Sequence, residues 1–112
     1  MLTIIHGADF HLDAPFAALP PDKARQRREE QRQLLDRLAD LAQEVRADLV
    51  LLSGDLLDSS QTYQETVEAL SRTLGQIQAP VFIAPGNHDC YGPRSVYANT
   101  PWPDKVHISF TV

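Results

Sequence analysis

A single cysteine, Cys90, stands among 112 residues. No internal disulfide can form, and such sparing use of cysteine fits the reducing cytoplasm. Long apolar runs are missing too. Leu49–Leu52 is among the longest, far short of the ~18 residues that a membrane span needs. The N-terminus carries no basic region and Asp9 interrupts its first apolar stretch, which argues against a secretory leader. No internal repeat and no Pro- or Gly-rich linker divides the chain. No Gly-x-Gly-x-x-Gly follows the first apolar run, which sets aside a dinucleotide-binding fold. An excess of positive charge is also lacking, since the net charge is −5. A domain that grips duplex nucleic acid by charge alone would be basic. Acidity still leaves nucleic acid open where carboxylates hold metal cations.

What is present is an ordinary globular composition, 43% hydrophobic and 22% charged. Disordered and fibrous classes drop out, and the length suits one small domain. Seven of the ten basic residues (Lys23, Arg25, Arg27, Arg28, Arg32, Arg37 and Arg46) fall between positions 22 and 48, where seven acids balance them. That reads as a solvated helix face laced with i,i+4 pairs.

The apolar pattern predicts alternating strands and helices. Leu2–His6 is a short β-rich run that ends at Gly7. Pro15, Pro20 and Pro21 make the next segment a loop. A helix follows from about Asp22, with Leu34, Leu35, Leu38, Leu41, Ala42 and Val45 on one stripe. Asp48–Ser53 is continuously apolar, as a strand covered on both faces would be. Thr62 and Glu65 have capping-box spacing ahead of a second helix with Val67, Leu70, Leu74 and Ile77 inward. Val81–Ala84 is a third strand, Cys90–Asp104 is irregular, and Val106–Phe110 is a fourth strand. Helical crossovers between buried strands imply an α/β fold with a mainly parallel sheet, flanking helices and right-handed connections.

Each of the first three strands is followed at once by metal-capable side chains. Asp9 and His11 follow the first, Asp55 and Asp58 the second, and Asn87, His88 and Asp89 the third. In an open parallel sheet, ligands bind beyond the carboxyl ends of the strands. Asp9 and His11 are two apart in a segment read as extended, so both can point the same way. Gly54 and Gly86 would let the chain turn sharply. Carboxylate and amide oxygen with imidazole nitrogen suits manganese, iron or zinc. A central carboxylate such as Asp55 could bridge two ions, the usual arrangement for hydrolysing phosphate esters.

Asp9-x-His11, Gly54-Asp55 and Gly86-Asn87-His88-Asp89, in that order, resemble the first three motifs of the calcineurin-like metallophosphoesterase superfamily. The text Ala8-Asp9-Phe10-His11-Leu12-Asp13-Ala14-Pro15-Phe16 is similar to the DNA-repair exonuclease branch, the SbcD-like nuclease subunits. The resemblance implies half of a four-layer α/β/β/α sandwich whose uncovered sheet face would favour self-association. It implies Asp9 and His11 on one metal, Asp55 bridging, and Asn87 on the second. His88 would be the general acid, oriented by Asp58. Two Mn2+ ions, or Fe or Zn, are the implied cofactors. DNA is the implied substrate and a coiled-coil, SbcC-like ATPase subunit the implied partner, with a homodimer open and no membrane. Asp58-Ser59-Ser60 and Gly86-Asn87-His88-Asp89 depart from the Asp-Arg-Gly and Gly-Asn-His-Glu of the protein phosphatases, which argues against that branch. The family's later histidine motifs have no counterpart after Asp89. Residues 1–112 are therefore expected to be the N-terminal part of such a domain, with an incomplete second metal site and little activity alone.

Other readings stand beside these. The activity could be directed at nucleotides or phosphoproteins, or the chain could be a non-enzymatic metal- or partner-binding module. Asp58 could cap a turn or helix, and Asp89 could close an Asx-turn or position the His88 loop. His6 and His107 are expected as hydrogen-bonded core histidines. Cys90 is expected as an inert thiol, and Trp102 as a side chain that packs its loop onto the sheet. Asp13 has no assigned role.

Overall fold

The computed structural model describes residues 1–58, 63–87, 89 and 91–109. Four strands, β1 (Ile4–Ala8), β2 (Leu49–Ser53), β3 (Val81–Ala84) and β4 (Val106–Ile108), alternate with helices α1 (Pro21–Glu44), α2 (Gln64–Gln76) and α3 (Val96–Asn99). All neighbouring strands run parallel, in the spatial order β1-β2-β3-β4. The α/β class expected from the sequence is what the chain adopts.

This monotonic order has a consequence for the faces. Each strand adds to the same edge, so right-handed crossovers set their helices on one side. There α1 and α2 lie together, with Thr73 Oγ1 donating to Asp36 Oδ1 at 3.3 Å. Leu35, Leu38 and Ala42 from α1 and Leu70 and Leu74 from α2 close over Val50, Leu52, Val81 and Ile83 of the sheet. The opposite face has no helix among the described residues. Ile4, His6, Ala8, Phe82, Ala84 and His107 are exposed on it, and Leu49, Leu51 and Ser53 are half-buried.

That open face corrects two expectations. β2 is covered on one side only, because both described crossover helices fall on the same side. His6 and His107 are not core residues: the His6 Nε2 lies 2.6 Å from Ser53 Oγ, and His107 stacks on Phe82 with ring centroids 4.8 Å apart.

Local differences have equally plain causes. β1 runs to Ala8 rather than stopping before Gly7, since pairing with β2 continues to Ser53. A Cβ on Gly7 would sit 3.2 Å from the Phe10 ring and 3.3 Å from Leu52, so glycine serves close packing within the strand. The buried stripe of α1 is Leu35, Leu38, Ala39 and Ala42, while Leu34, Leu41 and Val45 are exposed; the apolar width of the helix exceeds the face that the sheet covers. The ion pairs within it are Arg27–Glu30 and Arg32–Glu29, both at i,i+3. Thr62 lies outside the described residues. The N-cap of α2 is Tyr63 with no side-chain cap bond, and its N–H donates instead to Asp13 Oδ2 at 3.1 Å. The stretch read as irregular holds α3, capped by Ser95 Oγ, which accepts from the Ala98 N–H at 3.2 Å. Trp102 packs against the core as expected, and its Nε1 donates to the Tyr97 carbonyl at 3.0 Å. β4 is described to Ile108, and Phe110 lies outside. Among the described residues no helix is long and apolar enough to cross a membrane.

Candidate metal centre

Parallel pairing between β1 and β2 does not stop where the strands end. The Asp9 N–H donates to the Gly54 carbonyl at 2.9 Å, His11 to Asp55 at 3.0 Å, Leu12 to Leu56 at 3.0 Å and Asp58 to Leu12 at 2.9 Å. Leu12 and Leu57 form a parallel bridge beyond the named strands. The Gly54 N–H donates to the Ala84 carbonyl at 2.8 Å, which ties in β3. The polar loops are thus fastened rung by rung over buried Leu12, Leu56 and Leu57.

The backbone is unusual at the rungs that matter. Asp9, His11 and Asp55 have φ of +58°, +50° and +49°, and Gly54 has +78°. The left-handed region costs a side-chain-bearing residue about 1–3 kcal/mol and persists only where its surroundings enforce it. Asp and His are among the residues that enter it most readily. The segment holding Asp9 and His11 is therefore not extended, contrary to the sequence reading. Their side chains converge because both residues turn left-handed while their N–H groups bond to the β2 loop. One ligand atom from each of Asp9, His11 and Asp55 lies within 4.8 Å of the others. Asp9 is exposed and the other two are half-buried. Two carboxylates and an imidazole, open to solvent on one side, fit a divalent ion such as manganese, iron or zinc.

The third loop presses directly onto this group. A Cβ on Gly86 would clash with Asp55 Oδ1 and lie 2.5 Å from its backbone nitrogen and 2.8 Å from its Cγ. Gly86 is needed for this close approach. Gly54 is the glycine with positive φ, so only one of the two expected turns depends on that freedom. Asn87 follows and is exposed. His88 and Cys90 lie outside the described residues. The carboxylate of Asp58 places Oδ1 3.1 Å from His11 Nδ1.

Two acids do more than the sequence suggested. Asp89 is 2% exposed. Its Oδ1 accepts from the Gly86 N–H at 2.7 Å, a turn bond, while its Oδ2 accepts from the Leu57 N–H at 3.0 Å and from the Tyr97 hydroxyl at 2.5 Å. One buried carboxylate thereby joins the β2 loop, the β3 loop and α3. Burial, then the neighbouring Asp89, push the Tyr97 hydroxyl far above its ordinary pKa, so it stays a donor. Asp13, with only 3% of its side chain exposed, accepts from Arg32 at 3.1 Å, from Thr66 Oγ1 at 2.9 Å and from the Tyr63 N–H at 3.1 Å. It fastens the β1 loop to both helices. The signal for Asp89 was its place right after Asn87-His88. Tyr97 carried none, since its importance comes from folding back onto Asp89.

Fold and site together define an α/β domain with a candidate metal site at the carboxyl edge of its parallel sheet. The profile of the calcineurin-like phosphoesterase family matches residues 2–110, and the chain belongs to that family. It is 31% identical over 113 residues to YhaO of Bacillus subtilis (strain 168), named an uncharacterized metallophosphoesterase. The alignment takes in 96% of this chain and 27% of that relative, so the chain spans about a quarter of the relative's length.

Proposed function

We propose that this chain supplies the first metal-binding half of a two-metal phosphodiesterase of the DNA-repair exonuclease type. The observation that carries the metal reading is the convergence of Asp9, His11 and Asp55 within 4.8 Å at the carboxyl ends of adjacent strands. The nuclease branch is supported by the Ala8–Phe16 text, with its Asp-Phe-His-Leu-Asp core. Asp9 and His11 would hold one ion, Asp55 would reach both, and Asn87 would hold the second. Two divalent ions, manganese foremost, would supply charge to the phosphoryl oxygens and acidify the attacking water. His88 would protonate the leaving oxygen, with Asp58 as its orienting carboxylate. Gly86 and Asp89 keep the third loop pressed against Asp55. DNA is the substrate in this reading, and an SbcC-like coiled-coil ATPase subunit and a second copy of the chain are its partners in the cytoplasm.

Mn2+ titration tests the centre directly. The wild-type chain should bind Mn2+, and Asp55→Asn should weaken binding more than tenfold, since a bridging carboxylate serves both ions (about 1.4 kcal/mol per tenfold). Equal affinity in the variant would sink the assignment. Substrate class is read from a longer polypeptide carrying the family's later histidine motifs, given bis(p-nitrophenyl) phosphate and p-nitrophenyl phosphate with Mn2+. Preference for the diester is expected. Preference for the monoester would favour a phosphatase acting on nucleotides or phosphoproteins.

A further inference from the structure

His11 and Asp58 come from different loops and meet side chain to side chain. His11 Nδ1 is 3.1 Å from Asp58 Oδ1, and the side chains are 32% and 28% exposed. The meeting is set by the backbone. Asp58 donates its N–H to the carbonyl of Leu12, the residue after His11, and Leu12 bridges Leu57, the residue before Asp58. Leu12 and Leu57 are 0% and 1% exposed, so the rung between them is anchored in the core.

An ionised carboxylate only accepts hydrogen bonds, so this contact is one only when Nδ1 of His11 carries the proton. In a neutral imidazole the other nitrogen then keeps its lone pair, which is what a metal ligand must offer. An unconstrained histidine side chain favours the opposite tautomer, with the proton on Nε2. We propose that Asp58 is a positioning residue for His11: it holds the ring as the Nδ1–H tautomer and presents the Nε2 lone pair as the ligand beside Asp9 and Asp55. This role is separate from any action of Asp58 on His88. Its tautomer claim rests on the His11–Asp58 geometry, and its consequence for affinity rests on the metal reading above. Such outer carboxylates orient a ligating histidine and raise its basicity.

The test uses the full chain without metal at alkaline pH, where imidazoles are neutral. Long-range 1H–15N spectra report the tautomer, with the His11 signals identified by their loss in His11→Gln. Wild-type His11 should be protonated at Nδ1. Asp58→Ala should shift the population toward Nε2–H, and Asp58→Asn, whose Oδ1 still accepts, should restore the wild-type pattern. In a Mn2+ titration Asp58→Ala should bind about 10- to 100-fold more weakly, with Asp58→Asn recovering most of the loss. A wild-type ring protonated at Nε2, or a tautomer unmoved by Asp58→Ala, overturns the proposal. Equal Mn2+ affinity in wild type and Asp58→Ala overturns it as well. A wild-type chain with the expected tautomer and no Mn2+ binding supports the pairing and overturns the metal reading instead.

Discussion

The helix-covered core and the carboxyl edge of the same sheet are held by different chemistry. In the core, Val50, Leu52, Val81 and Ile83 meet Leu35, Leu70 and Leu74 with almost no exposure, and area removed from water sets the stability. At the edge, Asp9, His11, Asp13 and Asp55 all adopt positive φ and are held by backbone rungs and by the buried carboxylates of Asp13 and Asp89. The core tolerates apolar residues that conserve its volume. The edge requires particular atoms at particular distances, and conformational cost is spent there on geometry rather than stability.

Changes on either side of that boundary should separate the two. Leu70→Ala, at 0% exposure between α2 and the sheet, should cost about 2–5 kcal/mol, from lost transfer energy plus a cavity. Urea unfolding reads this, and Mn2+ affinity of the folded fraction should stay unchanged. Gly86→Ala should do the reverse in emphasis. Its methyl group has to displace Asp55, at about 1–3 kcal/mol of overpacking, and Mn2+ affinity should fall more than tenfold; unchanged affinity would show that Asp55 does not need the close approach.

Tyr97→Phe removes one hydrogen bond to a buried carboxylate, worth about 1.5–3 kcal/mol as a charge-assisted bond with the upper part offset by relaxation. It also carries a pH signature. The folded chain holds the Tyr97 proton above its ordinary value, whereas the unfolded chain releases it near pH ~10. The unfolded state therefore binds fewer protons above that pH, and stability falls as pH rises through it. Tyr97→Phe should flatten this alkaline loss in thermal unfolding scans; an unaltered slope would assign it to other groups. The smallest effect is expected on the open face. Phe82 is 43% exposed and stacks on His107 of β4, so Phe82→Ser should cost only about 1 kcal/mol, from the lost cross-strand pair and strand propensity. Sedimentation should show less self-association, because the change removes apolar surface from an uncovered sheet face.

Much of this chain is legible in its residues. The Leu49–Ser53 and Val81–Ala84 runs, the inward face of α2 and the βαβ order are local consequences of apolar period and proline placement. The three loops that carry the candidate ligands are legible as well, because each follows a strand and a parallel sheet delivers strand ends to one edge. Residue types alone therefore determined an α/β domain with Asp9, His11, Asp55 and Asn87 at its carboxyl edge. Tertiary structure alone decided the rest. Which side of β2 is covered follows from the spatial order of the strands, not from the strand's own apolar run. The left-handed turns at Asp9 and His11 exist because their N–H groups find carbonyls 45 and 44 positions away in the chain, at Gly54 and Asp55. The meetings of Asp58 with His11 and Gly86 with Asp55 likewise join separate loops, and that of Asp89 with Tyr97 joins a loop to α3. Period and propensity describe neighbours along the chain, whereas these contacts arise only when the closed core brings the loop ends within hydrogen-bonding reach.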